Sequence, residues 1–179
     1  MSLVDPCLEK ELREKASQLG WKTTEFNFAV LDSDDWGELK KEIGEEREQN
    51  ELIHYRFSDS SLDRKASEDH RIDSVIITDQ APEEATVKNL SDNSTAITLD
   101  FSSLLETSRK RKNSILSEWR RTIFLADKHG IELYVTTGAE SEFDLRPPEM
   151  LKSLINSLNT DLDNPEDKIT NNREKMERN

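Results

Sequence analysis

The side chains best able to do chemistry are sparse in this chain. His54, His70 and His129 lie far apart, with no H-x-H or H-E-x-x-H spacing. Carboxylates would therefore have to supply nearly every ligand of a transition-metal centre, a poor set for zinc. Cys7 stands alone. As a nucleophile it would need a histidine delivered by folding, and a buried structural thiol is the plainer expectation. It cannot close an internal disulfide, which suits a reducing cytoplasm. The five glycines, Gly20, Gly37, Gly44, Gly130 and Gly138, form neither a G-x-G nor a P-loop arrangement, so both common phosphate cradles are missing. With 38 acids in the chain, no carboxylate pair is distinctive. No catalytic constellation emerges, and no cofactor is expected in this chain.

Cations, by contrast, are concentrated. Residues 109–121 hold Arg109, Lys110, Arg111, Lys112, Arg120 and Arg121 against Glu118 alone, while residues 32–51 hold nine acids against three bases. The whole chain carries −13, so the thirteen-residue stretch is +5 and the rest is −18. Partners respond to local potential within about a Debye length, 8–10 Å, rather than to the total. On a helical wheel for 106–129, Ile115, Trp119, Ile123 and Ala126 form the inward stripe. Lys110, Arg121 and Lys128 line up almost opposite it beside Ser114 and Ser117, and Arg109 and Arg120 form a flanking pair. Such a line suits nucleic-acid phosphates, which arginine grips bidentately. A merely solvated face is the alternative. Against it, the helix lacks the Glu–Lys i,i+4 pairing that would neutralise such a face.

The elements that must position this helix alternate. Leu8, Leu12, Ala16 and Leu19 predict a helix stopped by Gly20. Phe26, Phe28 and Val30 predict a strand, and Asp34 or Asp35 caps a helix carrying Trp36, Leu39 and Ile43 and ending at Gly44. Ile53, Tyr55 and Phe57 alternate as a strand, followed by a short helix from Ser60 or Ser61 to about Glu68. Residues 73–78 are β-branched on both faces, as in a buried parallel strand. Pro82-Glu83-Glu84 opens another helix. Ile97, Leu99 and Phe101 predict a strand before the basic helix, which stops at Gly130, and Ile131, Leu133 and Val135 predict the next. Leu151, Leu154, Ile155 and Leu158 mark a helix opened by Pro147-Pro148-Glu149. Asn164-Pro165-Glu166-Asp167 starts a last, mostly polar helix.

Strand–helix alternation with short connections implies an α/β fold with a parallel sheet. At 179 residues and 33% apolar content, one domain over 1–179 is expected, with 160–179 the least securely docked part. No apolar run approaches the ~20 residues of a membrane span, and Met1–Cys7 has neither the basic leader nor the apolar region of a secretory signal.

Five blocks, in order and spacing over about residues 50–175, carry a resemblance. Asp63-Arg64-Lys65-Ala66-Ser67-Glu68-Asp69-His70-Arg71-Ile72-Asp73 resembles a signature R-x-A-x-E-x-x-x-V-D. The strand and turn from Ala96 to Leu105 follow. The helix with Arg109, Arg111, Trp119 and Arg120 then leads into Ala126–Ile131. Thr136-Thr137-Gly138-Ala139 precedes Asp144-Leu145-Arg146-Pro147-Pro148, and Asn164–Asn172 closes the series. Together they resemble protein component 3 of archaeal ribonuclease P, related to the eukaryotic p30 subunit.

The resemblance implies an α/β, TIM-barrel-like fold related to polymerase-and-histidinol-phosphatase phosphoesterases, with fewer than eight regular strands readable here. It implies a non-catalytic, RNA-binding subunit, in which the RNA removes the 5′ leader of precursor tRNA with its own Mg²⁺. The implied partners are ribonuclease P RNA, protein component 2 and, indirectly, precursor tRNA, in the cytoplasm and with no membrane. The implied RNA contacts are Arg64, Arg109, Lys110, Arg111, Lys112, Arg120, Arg121, Lys128 and Arg146. Arg146 could instead pair with Asp144 or Glu149, and Arg64 with Asp63 or Glu68. Two other functions remain open at this stage. One is a metal-dependent phosphoesterase on the same scaffold, with carboxylates holding Mg²⁺ or Mn²⁺. The other is a protein-binding α/β module whose 109–121 segment docks on an acidic partner.

Overall fold

Five strands, Phe28–Leu31 (β1), Leu52–Arg56 (β2), Ser74–Ile77 (β3), Ala96–Asp100 (β4) and Leu133–Thr136 (β5), form one parallel sheet whose order follows the sequence. The computed structural model describes residues 10–22, 27–58, 60–105 and 107–158. Cys7, the Leu8 and Phe26 ends of the first helix and strand, the helix opened by Asn164-Pro165, and residues 160–179 lie outside that set. Helices fill the connections: Trp36–Arg47 (α2), Ser60–Ala66 (α3), Glu84–Asp92 (α4), Ser102–Leu105 (α5) and Arg109–His129 (α6). A short helix, Arg13–Gln18 (α1), precedes the sheet, and Pro148–Leu158 (α7) follows it. Successive parallel neighbours joined through helices are consistent with a barrel-like fold.

The register separates the two faces of the sheet. Ile53, Tyr55, Val75, Ile77, Ile97, Leu99, Leu133 and Val135 join the main hydrophobic core with Leu39, Ile43, Val87, Leu90, Trp119 and Ile123 from the helices. The opposite face presents His54, Arg56, Ser74, Ile76, Thr98, Asp100, Tyr134 and Thr136. Several of its polar groups bond one another. His54 Nδ1 lies 2.6 Å from Ser74 Oγ, which lies 3.1 Å from Thr98 Oγ1.

Local chemistry explains most boundaries. Asp35 Oδ1 accepts the Glu38 N–H at 3.0 Å, capping α2. Gly130 takes the left-handed conformation (φ 67°) that ends α6. Two expectations are corrected. Gly44 does not end α2, which continues to Arg47. The Arg47 guanidinium reaches the Glu51 and Arg71 carbonyls and the Asp73 carboxylate, and this tertiary anchor outweighs the glycine penalty of about 1 kcal/mol. In addition, α6 does not start at 106. The short α5 comes first, seeded by Asp100 Oδ1 accepting from the N–H (3.0 Å) and Oγ (2.7 Å) of Ser102.

Candidate nucleic-acid interface

The interface is built on α6, and its position is set from the inside. Ile115, Trp119, Thr122, Ile123, Leu125 and Ala126 are buried, as the apolar spacing predicts. Trp119 is wholly buried and donates its indole N–H to the Thr78 carbonyl at 3.1 Å. Burying an indole removes about 200 Å² from water, worth about 5 kcal/mol at 25 cal per Å², so this face cannot rotate outward. Glu118 turns aside as well, accepting the Ala81 N–H at 3.2 Å. The lone acid of the 109–121 stretch is thereby spent on the β3–α4 loop.

What remains outside is a strip that is exposed throughout: Lys110, Asn113, Ser114, Ser117, Arg121, Phe124 and Lys128, with Arg109 and Arg120 along one edge. From Lys110 to Lys128 it runs about 27 Å at 1.5 Å per residue. Neighbouring elements border it. On the α4 side Lys128 and His129 both meet the Glu84 carboxylate, and Ser91 Oγ donates to the His129 carbonyl at 2.9 Å. These partners, Lys128 first, hold the Glu84 carboxyl below its ordinary range. On the α7 side Arg120 Nε donates to the Leu158 carbonyl at 3.3 Å. Near the N-terminus Arg111 pairs with Asp79 at 2.5 Å. A groove of about 450 Å³ lies beside that pair, lined by Asp79, Gln80, Ala81, Arg111, Ser114, Glu118 and Arg121. Arg109, Lys110, Lys112 and Arg121 hold no carboxylate among the described residues.

The N-terminus of α6 is electrostatically inverted. Its first four positions are Arg109, Lys110, Arg111 and Lys112, its first turn has no acid, and Ser108 makes no side-chain cap. The other helices of nine residues or more place an acid in the first turn: Glu38 in α2, Glu84 in α4 and Glu149 in α7. A helix N-terminus already carries positive potential and unpaired N–H groups. Four added cations make this end attractive to polyanions at some cost to the free helix.

The structure thus gathers seven of the nine expected contacts on one helix and separates the other two. Arg64 is exposed on α3 and makes no ion pair among the described residues, while Asp63 accepts the Ser58 N–H and Glu68 accepts from Asn89. Arg64 is set apart from the strip, because α4 packs against both α3 and α6. Arg146 precedes α7 and pairs with neither Asp144 nor Glu149. Its Nη1 donates to the Phe143 (2.7 Å) and Leu145 (2.9 Å) carbonyls, and its own carbonyl accepts the Trp21 indole N–H at 2.7 Å. Phe124, 58% exposed, went unnoticed on the wheel, although a phenylalanine opposite the inward stripe is a signal in itself.

At the carboxyl end of the sheet, where barrel enzymes carry their chemistry, Asp100 is buried and fully engaged. Oδ2 takes Arg56 at 2.8 Å, and Oδ1 takes Ser102. No group of three or more His, Cys, Asp or Glu side chains suited to a metal exists among the described residues. No helix among them is long and apolar enough to cross a membrane.

No family model and no curated protein matches the sequence. Among solved structures, the chain is similar to one in the cryo-EM structure of archaeal ribonuclease P with mature tRNA. The TM-score is 0.70 at 20% identity, covering 89% of this chain and 72% of that one. At that identity the likeness establishes a shared α/β fold.

Proposed function

We propose that this chain is a component 3-type protein subunit of archaeal ribonuclease P, on a TIM-barrel-like scaffold, that binds the RNA subunit through the outer face of α6. In this role it cleaves no bond. It supports the RNA that removes the 5′ leader of precursor tRNA, Mg²⁺ belongs with that RNA, and protein component 2 is its protein partner. The observation that carries the proposal is the strip itself: an acidic chain whose cations collect on one exposed helix face, where Glu118, the one acid of the 109–121 stretch, is bonded to the Ala81 N–H. The fold shared with a chain of a ribonuclease P–tRNA assembly supports it, as do the five sequence blocks. Arg64 then offers an isolated contact, and Arg146 acts through the loop it holds. Asp100, committed to Arg56 and Ser102, favours this over a phosphoesterase.

The test is reconstitution of precursor-tRNA cleavage from the RNA, component 2, the remaining protein subunits and this chain. Omitting the chain is expected to lower cleavage. The Lys110/Arg121/Lys128→Ala variant is expected to lower it too, most strongly as salt is raised. Cleavage unchanged in the triple variant removes the α6 interface. A chain that neither joins the RNA and component 2 nor stimulates cleavage, yet hydrolyses a phosphoester in a chelator-sensitive way, removes the assignment.

A further inference from the structure

Phe124 calls for an explanation that the cations alone do not supply. It is the only aromatic on the outer face of α6, and it is 58% exposed in a helix whose inward face is already complete. Isolated exposed apolar residues are common, so its surroundings decide the matter. Arg120 and Arg121 lie four and three residues before it and Lys128 four after, positions that neighbour it on the helix surface at about 5–6 Å between Cβ atoms. Leu116, the other apolar side chain near that face, is half-buried against the core. Among the described residues, α6 itself therefore offers no contiguous apolar patch to seat a protein partner. Docking an apolar surface on Phe124 would also bury three cations with it, at a large desolvation penalty. A single flat, uncharged ring flanked by phosphates meets none of these objections.

We infer that Phe124 is a stacking platform for one unpaired base, with Arg120 and Arg121 holding the adjacent phosphates, so that α6 takes a single-stranded or looped stretch of RNA. The inference rests on the RNA-binding proposal and narrows it. Duplex RNA hides its base faces and would use the cations alone, whereas unstacked bases in loops and bulges are free to lie on an aromatic ring.

The experiment measures binding of the full chain to a labelled oligouridylate of about ten nucleotides and to a duplex RNA of equal length, across a salt series. Phe124→Ala is expected to weaken single-strand binding about 5- to 100-fold with the salt slope unchanged, and to leave duplex binding untouched. Phe124→Tyr should retain affinity, whereas Phe124→Leu, which keeps bulk but lacks a π-face, should not. Arg121→Ala should make the single-strand salt slope shallower by about 0.7. If Arg121→Ala behaves so and Phe124→Ala binds like wild type, stacking is overturned while the RNA-binding proposal survives. If wild type binds neither RNA and no cation matters, that proposal fails first. If Phe124→Ala instead releases protein component 2 with RNA binding intact, the ring is a protein contact and the inference is wrong.

Discussion

Replacing Arg109 and Lys110 together by glutamate is expected to make the free protein more stable and a poorer RNA binder. Both residues occupy the first turn of α6, hold no carboxylate among the described residues, and sit beside Arg111 and Lys112. A charge of the wrong sign near a helix end costs about 0.3–1 kcal/mol, and the right sign gains as much. Two reversals therefore span about 1–4 kcal/mol. Exposure and screening put the value near the lower bound, about 1 kcal/mol, or about 2–4 °C in melting temperature for a chain of this size. On RNA the same change removes two phosphate contacts. The plot of log K against log salt should become shallower by about 1.4 for a single-stranded RNA, so the affinity deficit shrinks about sevenfold for a fourfold rise in salt. Urea unfolding of the free chain and RNA titrations at several salt concentrations measure the two effects. The Arg109/Lys110→Gln variant separates charge from side-chain loss and should fall between. A variant that is no more stable than wild type would refute the dipole argument. Unchanged RNA affinity would refute the placement of the interface at this end of α6.

Two further outcomes concern the scaffold. Gly138 has φ +59°, and a Cβ there would lie 2.2 Å from Asp100 Oδ1 and 2.7 Å from Ser102 Oγ. Gly138→Ala should thus combine about 1–2 kcal/mol of left-handed strain with displacement of a buried ion pair, for about 3 kcal/mol or more in total. A urea midpoint shift worth less than about 0.5 kcal/mol would contradict the close approach. The Arg71 guanidinium on Asp69, with Oδ2 at 2.6 Å from Nη2, holds the Asp69 carboxyl below its ordinary range. Its folded pKa being depressed, the resulting stability is present above the ordinary carboxylate pKa and is lost as pH falls through the lowered value. Asp69→Asn should then be less stable than wild type at neutral pH, with the gap closing in acid. Parallel acid-denaturation curves would show that the pair contributes nothing.

The sheet was readable because buried parallel strands declare themselves through β-branched runs such as Val75-Ile76-Ile77, and because Gly130 marks a helix end that admits a left-handed residue. The apolar stripe of α6 was readable for the same local reason, since a 3.6-residue period depends only on the helix itself. Whatever depended on distant partners was hidden. Arg47 overrides Gly44 through Asp73, 26 residues on. Arg111 and Lys128 meet acids 32 and 44 residues earlier. The partner of Glu118, the Ala81 N–H, lies 37 residues earlier. The bonds from Arg146 to the Phe143 and Leu145 carbonyls were hidden as well, because no sequence pattern displays backbone acceptors. Phe124 was overlooked because an exposed aromatic is informative only once the opposite face is known to be full.

These long-range pairings also change how the net charge bears on function. If the cations of α6 were neutralised at random by an acidic surface, −13 would argue against a polyanionic partner. They are neutralised selectively. Glu84 and Asp79 meet Lys128 and Arg111 toward the two ends of the helix, and no carboxylate pairs with Lys110 or Arg121 among the described residues. The cations of the strip that hold no carboxylate among the described residues, Lys110 and Arg121, are consequently about 17 Å apart along the helix, a spacing within reach of successive phosphates. The acids elsewhere then have a directional effect. A polyanion approaching an acidic stretch such as 32–51 meets repulsion, which biases encounter and orientation toward the basic face of α6. In the proposed RNA complex, the acidity of the chain would make a single basic helix a specific address rather than a general affinity for polyanions.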